Sequence, residues 1–258
     1  MAGVKGDIHL DRALGPAGAI ATNLIGMIGV GPFLTIPAML TAMGGPHIVF
    51  AWLAGGLLAL ADGLVYAQLG AALPGSGGPY VYLREAYAPF GLGRLMSFVF
   101  IFQILLVGPL SIATGAVGFA NYLAFYWQTM PRLAHGLVGA AVCVVTTAML
   151  YRKIEDVGRI AVAMLAVVAL TVGWIVVAGA WSFSPSRAFA FPPAAFAFDD
   201  AWWKGLAGAT LVAIYNYGGY NNVCYIAEEV RAPARTLPRA IIWSIVCVVV
   251  LYVAMSTV

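Results

Sequence analysis

The chain has 258 residues, 62% of them hydrophobic and 9% charged, with a mean hydropathy of +0.93. An ordinary soluble domain carries roughly 25% charged residues, so composition excludes a water-soluble globule and points to a polytopic membrane protein. Thirteen Lys and Arg against ten Asp and Glu give +3, too little for the basic footprint that nucleic-acid binding needs.

Crossing about 30 Å of hydrocarbon takes roughly 20 apolar residues in a helix, whose backbone groups are paired internally. Seven such runs are predicted: 18–43, 48–73, 95–125, 136–151, 160–183, 205–227 and 240–258. The first exceeds the roughly 7 to 15 apolar residues of a signal-peptide core and reads as a mature spanning helix. The third is long enough to need tilt or a break at Gly108-Pro109, and the fourth is short. Between the fifth and sixth runs, residues 181–203 carry Pro185, Pro192, Pro193 and several aromatics, as an ordered segment near the headgroups would. The seventh run reaches Val258 without a flanking charge or aromatic anchor and reads as cut within a helix.

Alternating sides of these spans divide the basic residues unequally. Lys5, Arg12, Arg84, Arg94, Arg152, Lys153, Arg159, Arg231, Arg235 and Arg239 fall on one side; Arg132, Arg187 and Lys204 fall on the other. Because cytoplasmic loops hold the excess of Lys and Arg, the N-terminus is expected to be cytoplasmic. Cys143, Cys224 and Cys247 sit in apolar stretches without paired spacing, which fits neither a disulfide framework nor a zinc site.

Two spans carry interruptions near their midpoints. The first contains Gly26-Met27-Ile28-Gly29-Val30-Gly31-Pro32, and the sixth contains Asn216-Tyr217-Gly218-Gly219-Tyr220-Asn221. One such site alone reads equally well as a kink. Two in corresponding places, five spans apart, point to a transporter site built from inverted repeats, because freed backbone groups survive in mid-bilayer only where they line a cavity or meet a ligand. A half-helix N-terminus offers amides to an anion and a C-terminus offers carbonyls to a cation, which together complement a zwitterionic amino acid.

At these residues the chain resembles the amino acid-polyamine-organocation superfamily of transporters. The resemblance rests on Ile28-Gly29-Val30-Gly31-Pro32-Phe33, on Pro74-Gly75-Ser76-Gly77-Gly78-Pro79-Tyr80-Val81-Tyr82, and on 229–240, which begins Glu229-Val230-Arg231. It implies an all-α inverted five-plus-five fold with broken first and sixth helices and about twelve helices in a complete member. Residues 18–183 would be the first repeat and 205–258 the start of the second. It also implies alternating access, a plasma-membrane setting and a small-molecule substrate, an amino acid or an amine. No cofactor is implied, and the coupling ion, H+ or Na+, stays open. By the same resemblance Val30 and Gly31, within the break that includes Gly29, would meet the substrate carboxylate. Met27, Asn216 and Gly218 would meet its amino group, Tyr215 would be an aromatic gate, and Pro109 and Ile112 would face the pocket.

Three departures bear on this. Pro32 lacks an N-H and so removes one carboxylate donor, which slightly favours an amine or polyamine. Val168 stands near where some proton-coupled members carry a lysine, and Asn221 stands where some place an acid.

Asp62 is the only formally charged residue deep within a run. An Asp there costs about 2.5 to 3.5 kcal/mol on insertion scales, so it is expected either to couple protons or attract a cation, or to be hydrogen-bonded in packing against the third or seventh helix. Within the polar sixth run, Asn216 and Tyr220 are the residues expected to face the substrate, since helical geometry cannot turn Tyr217, Tyr220 and Asn221 the same way. A channel would distribute polar positions along several spans, and an intramembrane enzyme would need a catalytic constellation; neither pattern is present in the sequence.

Overall fold

A computed structural model describes residues 12, 14–29, 31–151, 154–193 and 195–257. Val30, Lys5, Arg152, Lys153 and Val258, which enter the sequence reading, lie outside the described residues. The principal helices are α1 (Pro16–Met27), α2 (Gly31–Met43), α3 (Val49–Ala72), α4 (Pro79–Ala86), α5 (Gly93–Tyr126), α6 (Arg132–Leu150), α7 (Ile154–Trp181), α8 (Pro185–Ala188), α9 (Asp200–Tyr217) and α10 (Pro233–Thr257). Short 3-10 turns precede α3 and α5, and a longer one, Asn222–Glu229, follows α9.

Among the described residues, five helical segments are long and apolar enough to cross a membrane: Pro46–Ala72, Gly93–Tyr126, Arg132–Met149, Val162–Trp181 and Pro233–Thr257. Taken together across their 53° bend, α1 and α2 are also long and apolar enough, which makes six such segments among the described residues; α9, the helical part of the sixth predicted run, is not one of them. The all-helical, multi-pass character expected from composition is therefore what the chain adopts.

Local sequence sets the helix ends. Asp199 caps α9, its carboxylate accepting from the Trp202 N-H at 2.8 Å. Pro16 and Pro79 occupy first turns, where a missing N-H costs nothing. Gly44, at φ +74°, closes α2 in the left-handed conformation that glycine adopts freely.

Two expectations are corrected and one alternative is decided. Of tilt or a break at Gly108-Pro109 in the third span, the break is absent: α5 runs unbroken for 34 residues, which leaves tilt as the expected way to absorb its length. The fourth span is not short, because it starts at Arg132 and runs 19 residues, the polar first turn having hidden it from a hydropathy count. The sixth span is not helical to 227. α9 stops at Tyr217 and the chain turns into the 3-10 segment, since Gly218-Gly219 supplies a backbone no helix continues.

α3 is the central beam. Gly55, Gly56, Ala59, Gly63, Ala67 and Gly70 are all buried on it. A methyl group added to Gly55 would lie 2.8 Å from Ala213 Cβ, at Gly56 2.6 Å from Val249 Cγ2, and at Gly63 2.6 Å from Ile245 Cδ1. Small residues let α3 approach α9 and α10 closely, which in lipid is how helices gain van der Waals contact. Trp52 of α3, Tyr217 of α9 and Tyr252 of α10 fill the remaining space, with ring centroids 5.0 to 5.8 Å apart. Burial separates this core from a periphery: α3 and α10 pack a substantial part of their length inside the bundle, whereas α5, α6 and α7 are almost wholly exposed.

At one end of the bundle the chain before α1 pairs with the chain after the sixth span. Leu14 N-H donates to Glu229 O at 3.0 Å and Arg231 N-H donates to Leu14 O at 2.9 Å. The glycine-rich loop after α3 docks on the same segment, with Gly77 N-H donating to Tyr225 O at 3.0 Å and Gly78 lying against Cys224. Tyr82, just beyond, is buried there, which pushes its phenol above the ordinary tyrosine pKa. The loop is thus a docked turn.

Candidate functional site

The first break opens where α1 ends at Met27. Ile28 still donates its N-H to Leu24 O at 2.8 Å but is extended, at φ −90° and ψ 102°, and helix resumes at Gly31. In the sixth span Gly218 takes φ −53° and ψ 145°, and Gly219 takes φ +107°, a value that strongly favours glycine.

The two breaks touch through their backbones. A methyl at Gly219 would stand 2.8 Å from the carbonyl carbon of Gly26, and one at Gly26 would stand 1.9 Å from Asn222 Nδ2. Gly31 faces Asn216, whose Oδ1 lies 2.2 Å from where a Gly31 methyl would be. By contrast, a methyl at Gly29 would meet nothing within 4 Å among the described residues.

Polar groups around the contact are mostly paired. Asn23 is fully buried on α1, one turn before Met27. Its Oδ1 accepts from Val223 N-H at 2.9 Å, and its Nδ2 donates to Ser244 Oγ at 3.3 Å. Asn216 Nδ2 donates to Thr35 Oγ1 at 3.0 Å and to Val212 O at 2.8 Å. Because Val212 O can only accept, the amide orientation is determined, and Asn216 Oδ1 is left buried without a partner among the described residues. The Tyr252 hydroxyl donates to Met27 O at 2.8 Å and stands 3.5 Å from Asn216 O. Three spans therefore meet at one hydroxyl.

Just beyond the first break, Pro37 cannot supply the N-H that Phe33 O would otherwise receive within α2. The Tyr122 hydroxyl of α5 donates to that carbonyl instead, at 2.7 Å.

The expected residues divide into groups. Met27, Gly31, Asn216 and Gly218 converge at the paired breaks, beside Gly29. Val30 lies outside the described residues. Tyr220 turns its hydroxyl to Asp62, to which it donates. Asp62 thus has its partner on the sixth span, not on the third or seventh as its packing alternative supposed. Tyr66, one turn along α3, places its ring 6.2 Å from that of Tyr220. Tyr215, Pro109 and Ile112 are exposed, the latter two on the peripheral α5. Sequence reasoning missed Asn23, Thr35, Ser244 and Tyr252. An asparagine in an apolar span, four residues before Met27 and so on the same helix face, was a usable signal. Tyr252 offered none, because a tyrosine in a Val-rich helix reads as packing.

The family model for amino acid permeases matches residues 17–258. The chain is 31% identical over 260 residues to the human b(0,+)-type amino acid transporter 1, covering 96% of this chain and 50% of that protein. It is 26% identical over 256 residues to the serine/threonine exchanger SteT of Bacillus subtilis, covering 96% and 54%. To the inner membrane transport protein YbaT of Escherichia coli it is 26% identical over 253 residues, covering 96% and 55%. The chain spans about half the length of these curated relatives. Matched almost from end to end, and carrying the broken first and sixth spans that its motifs foretold, the chain belongs to the amino acid permease family.

Proposed function

We propose that this protein is a secondary active transporter that moves an amino acid across the plasma membrane by alternating access around a midplane site at the two breaks. In this reading the helices follow an inverted five-plus-five plan with the N-terminus cytoplasmic. The observation that carries it is the direct backbone contact of Gly219 with Gly26, which brings the C-terminal ends of α1 and α9 together. Carbonyls at those ends suit the substrate ammonium, through Met27, Asn216 and Gly218. The Gly31 amide at the start of α2 suits the carboxylate, as the Val30 amide would by the family resemblance, and the absence of described residues around Gly29 leaves room for a ligand to approach the backbone. Tyr215, Pro109 and Ile112 would line the approach. Asp62, held by Tyr220 next to the second break, is the proton-coupling carboxylate in this reading. The relatives named above are transporters or exchangers, which supports transport over chemistry.

Pro32 favours a second reading, an organic amine or polyamine substrate, because it withholds one amide from a carboxylate. Counterflow in proteoliposomes separates the two. Saturable uptake that prefers L- over D-amino acids supports the first, and preference for putrescine over every amino acid supports the second. Linear flux without stereoselectivity overturns both.

A further inference from the structure

Three acceptors gather where the ends of α1 and α9 meet. They are Met27 O, Asn216 O and Asn216 Oδ1, with Met27 3% and Asn216 5% exposed. The Tyr252 hydroxyl is the donor that reaches the two backbone carbonyls, while Asn216 Oδ1 has no partner among the described residues. Tyr252 is itself 1% exposed, and its ring is fixed between Trp52 and Tyr217. One hydroxyl proton serves a single acceptor well, and the distances of 2.8 and 3.5 Å show which: Met27 O is bonded and Asn216 O is underserved. Buried acceptors left without donors are costly, so the site is matched to a group bringing several N-H donors and a positive charge.

We propose that Tyr252 is a specificity-determining residue of this site, its hydroxyl occupying in the empty protein the place that a primary ammonium group takes over from it. This rests on the reading of the breaks as an amine-recognising site. On binding, the ammonium donates to Met27 O and Asn216 O together, and Tyr252 gives up its bond to Met27 O. The hydroxyl therefore sets a threshold: a ligand with one weak donor does no better than Tyr252 already does, whereas a trivalent ammonium donor does.

The test uses the chain in lipid nanodiscs and three probes: L-alanine, ethylammonium and L-lactate, in which a hydroxyl replaces the amino group. Removing the internal competitor by Tyr252→Phe is expected to tighten ethylammonium binding about tenfold, and L-lactate binding by clearly less, since its one hydroxyl then fills only the single acceptor Tyr252 vacates. Ethylammonium binding that is unchanged or weaker overturns the proposal, as does an equal gain for L-lactate. Should the wild-type chain bind no L-alanine while Tyr252→Phe binds ethylammonium, the amino acid reading fails and the role of Tyr252 stands. A second readout needs no variant: with ring-labelled tyrosine, the Tyr252 Cζ resonance should shift on adding ethylammonium and stay fixed with L-lactate. A resonance that ignores ethylammonium overturns the proposal even if Tyr252→Phe does not fold.

Discussion

Gly219→Ala tests the contact on which the site depends. At φ +107° an alanine is strained by about 1 to 2 kcal/mol relative to glycine. Its methyl would also stand 2.8 Å from Gly26 C, 2.9 Å from Gly26 O and 3.2 Å from Gly26 Cα. All three are backbone atoms, so no side-chain rotation relieves the overlap. The two broken spans must separate, and overpacking of that kind costs typically about 1 to 3 kcal/mol. Together these give a destabilisation of about 3 kcal/mol, or roughly a hundredfold in the folded-to-unfolded ratio. Gly218→Ala is the control. At φ −53°, with Tyr215 O at 3.2 Å as its nearest neighbour, it should cost less than about 1 kcal/mol. Unfolding in mixed micelles of rising SDS fraction, followed by tryptophan fluorescence, compares the two midpoints. Equal midpoints for the two variants would refute the close backbone contact.

Further outcomes separate binding, coupling and packing. Gly29→Ala should leave the unfolding midpoint unchanged, since its methyl meets nothing within 4 Å among the described residues, yet weaken L-alanine binding at least about tenfold by filling space the ligand needs; unaltered binding would remove Gly29 from the site. Asp62→Asn keeps an acceptor for the Tyr220 hydroxyl but discards the charge, so uptake driven by a pH gradient should disappear while counterflow at equal pH persists. Gradient-driven uptake at the wild-type rate would exclude Asp62 from coupling. Tyr122→Phe should cost about 1 kcal/mol by leaving Phe33 O without a donor. In a Pro37→Ala background, where α2 regains an N-H for that carbonyl, the same substitution should cost almost nothing, and a double-mutant cycle showing additivity would contradict this account.

The spans were legible because their signal is additive: twenty apolar residues outweigh any local irregularity. The breaks were legible for a related reason, since Gly29, Gly31, Pro32, Gly218 and Gly219 are each poor helix formers and they cluster. What the sequence could not convey is which polar groups use the breaks. The bond of Tyr252 to Met27 O depends on how α10 crosses α1, and the small-residue face of α3 decides that crossing through contacts such as Gly56 with Val249. Tyr220 illustrates the same limit. Its place beside the hinge was readable, but turning toward Asp62 depends on the 3-10 path after Gly219, which no periodicity encodes. For the third span, tilt and a break at Gly108-Pro109 were both open, because proline is a break signal only when neighbouring residues also disfavour helix. The apolar, helix-competent residues on either side carry α5 straight through.

The partners of the first break also fix an order of assembly. Asn23 finds its partners 200 and 221 residues later, and Met27 O finds its own 225 residues later. While the chain is being synthesised, the first span must enter the membrane and wait with an asparagine and freed carbonyls unsatisfied until the sixth and seventh spans follow. Throughout that interval its unpaired polar groups favour slipping back into water or pairing with the wrong neighbour. Biogenesis should therefore depend on the insertion machinery sheltering this one helix, and substitutions in α10 that never touch a substrate should reduce the yield of inserted protein by stranding the helix made first.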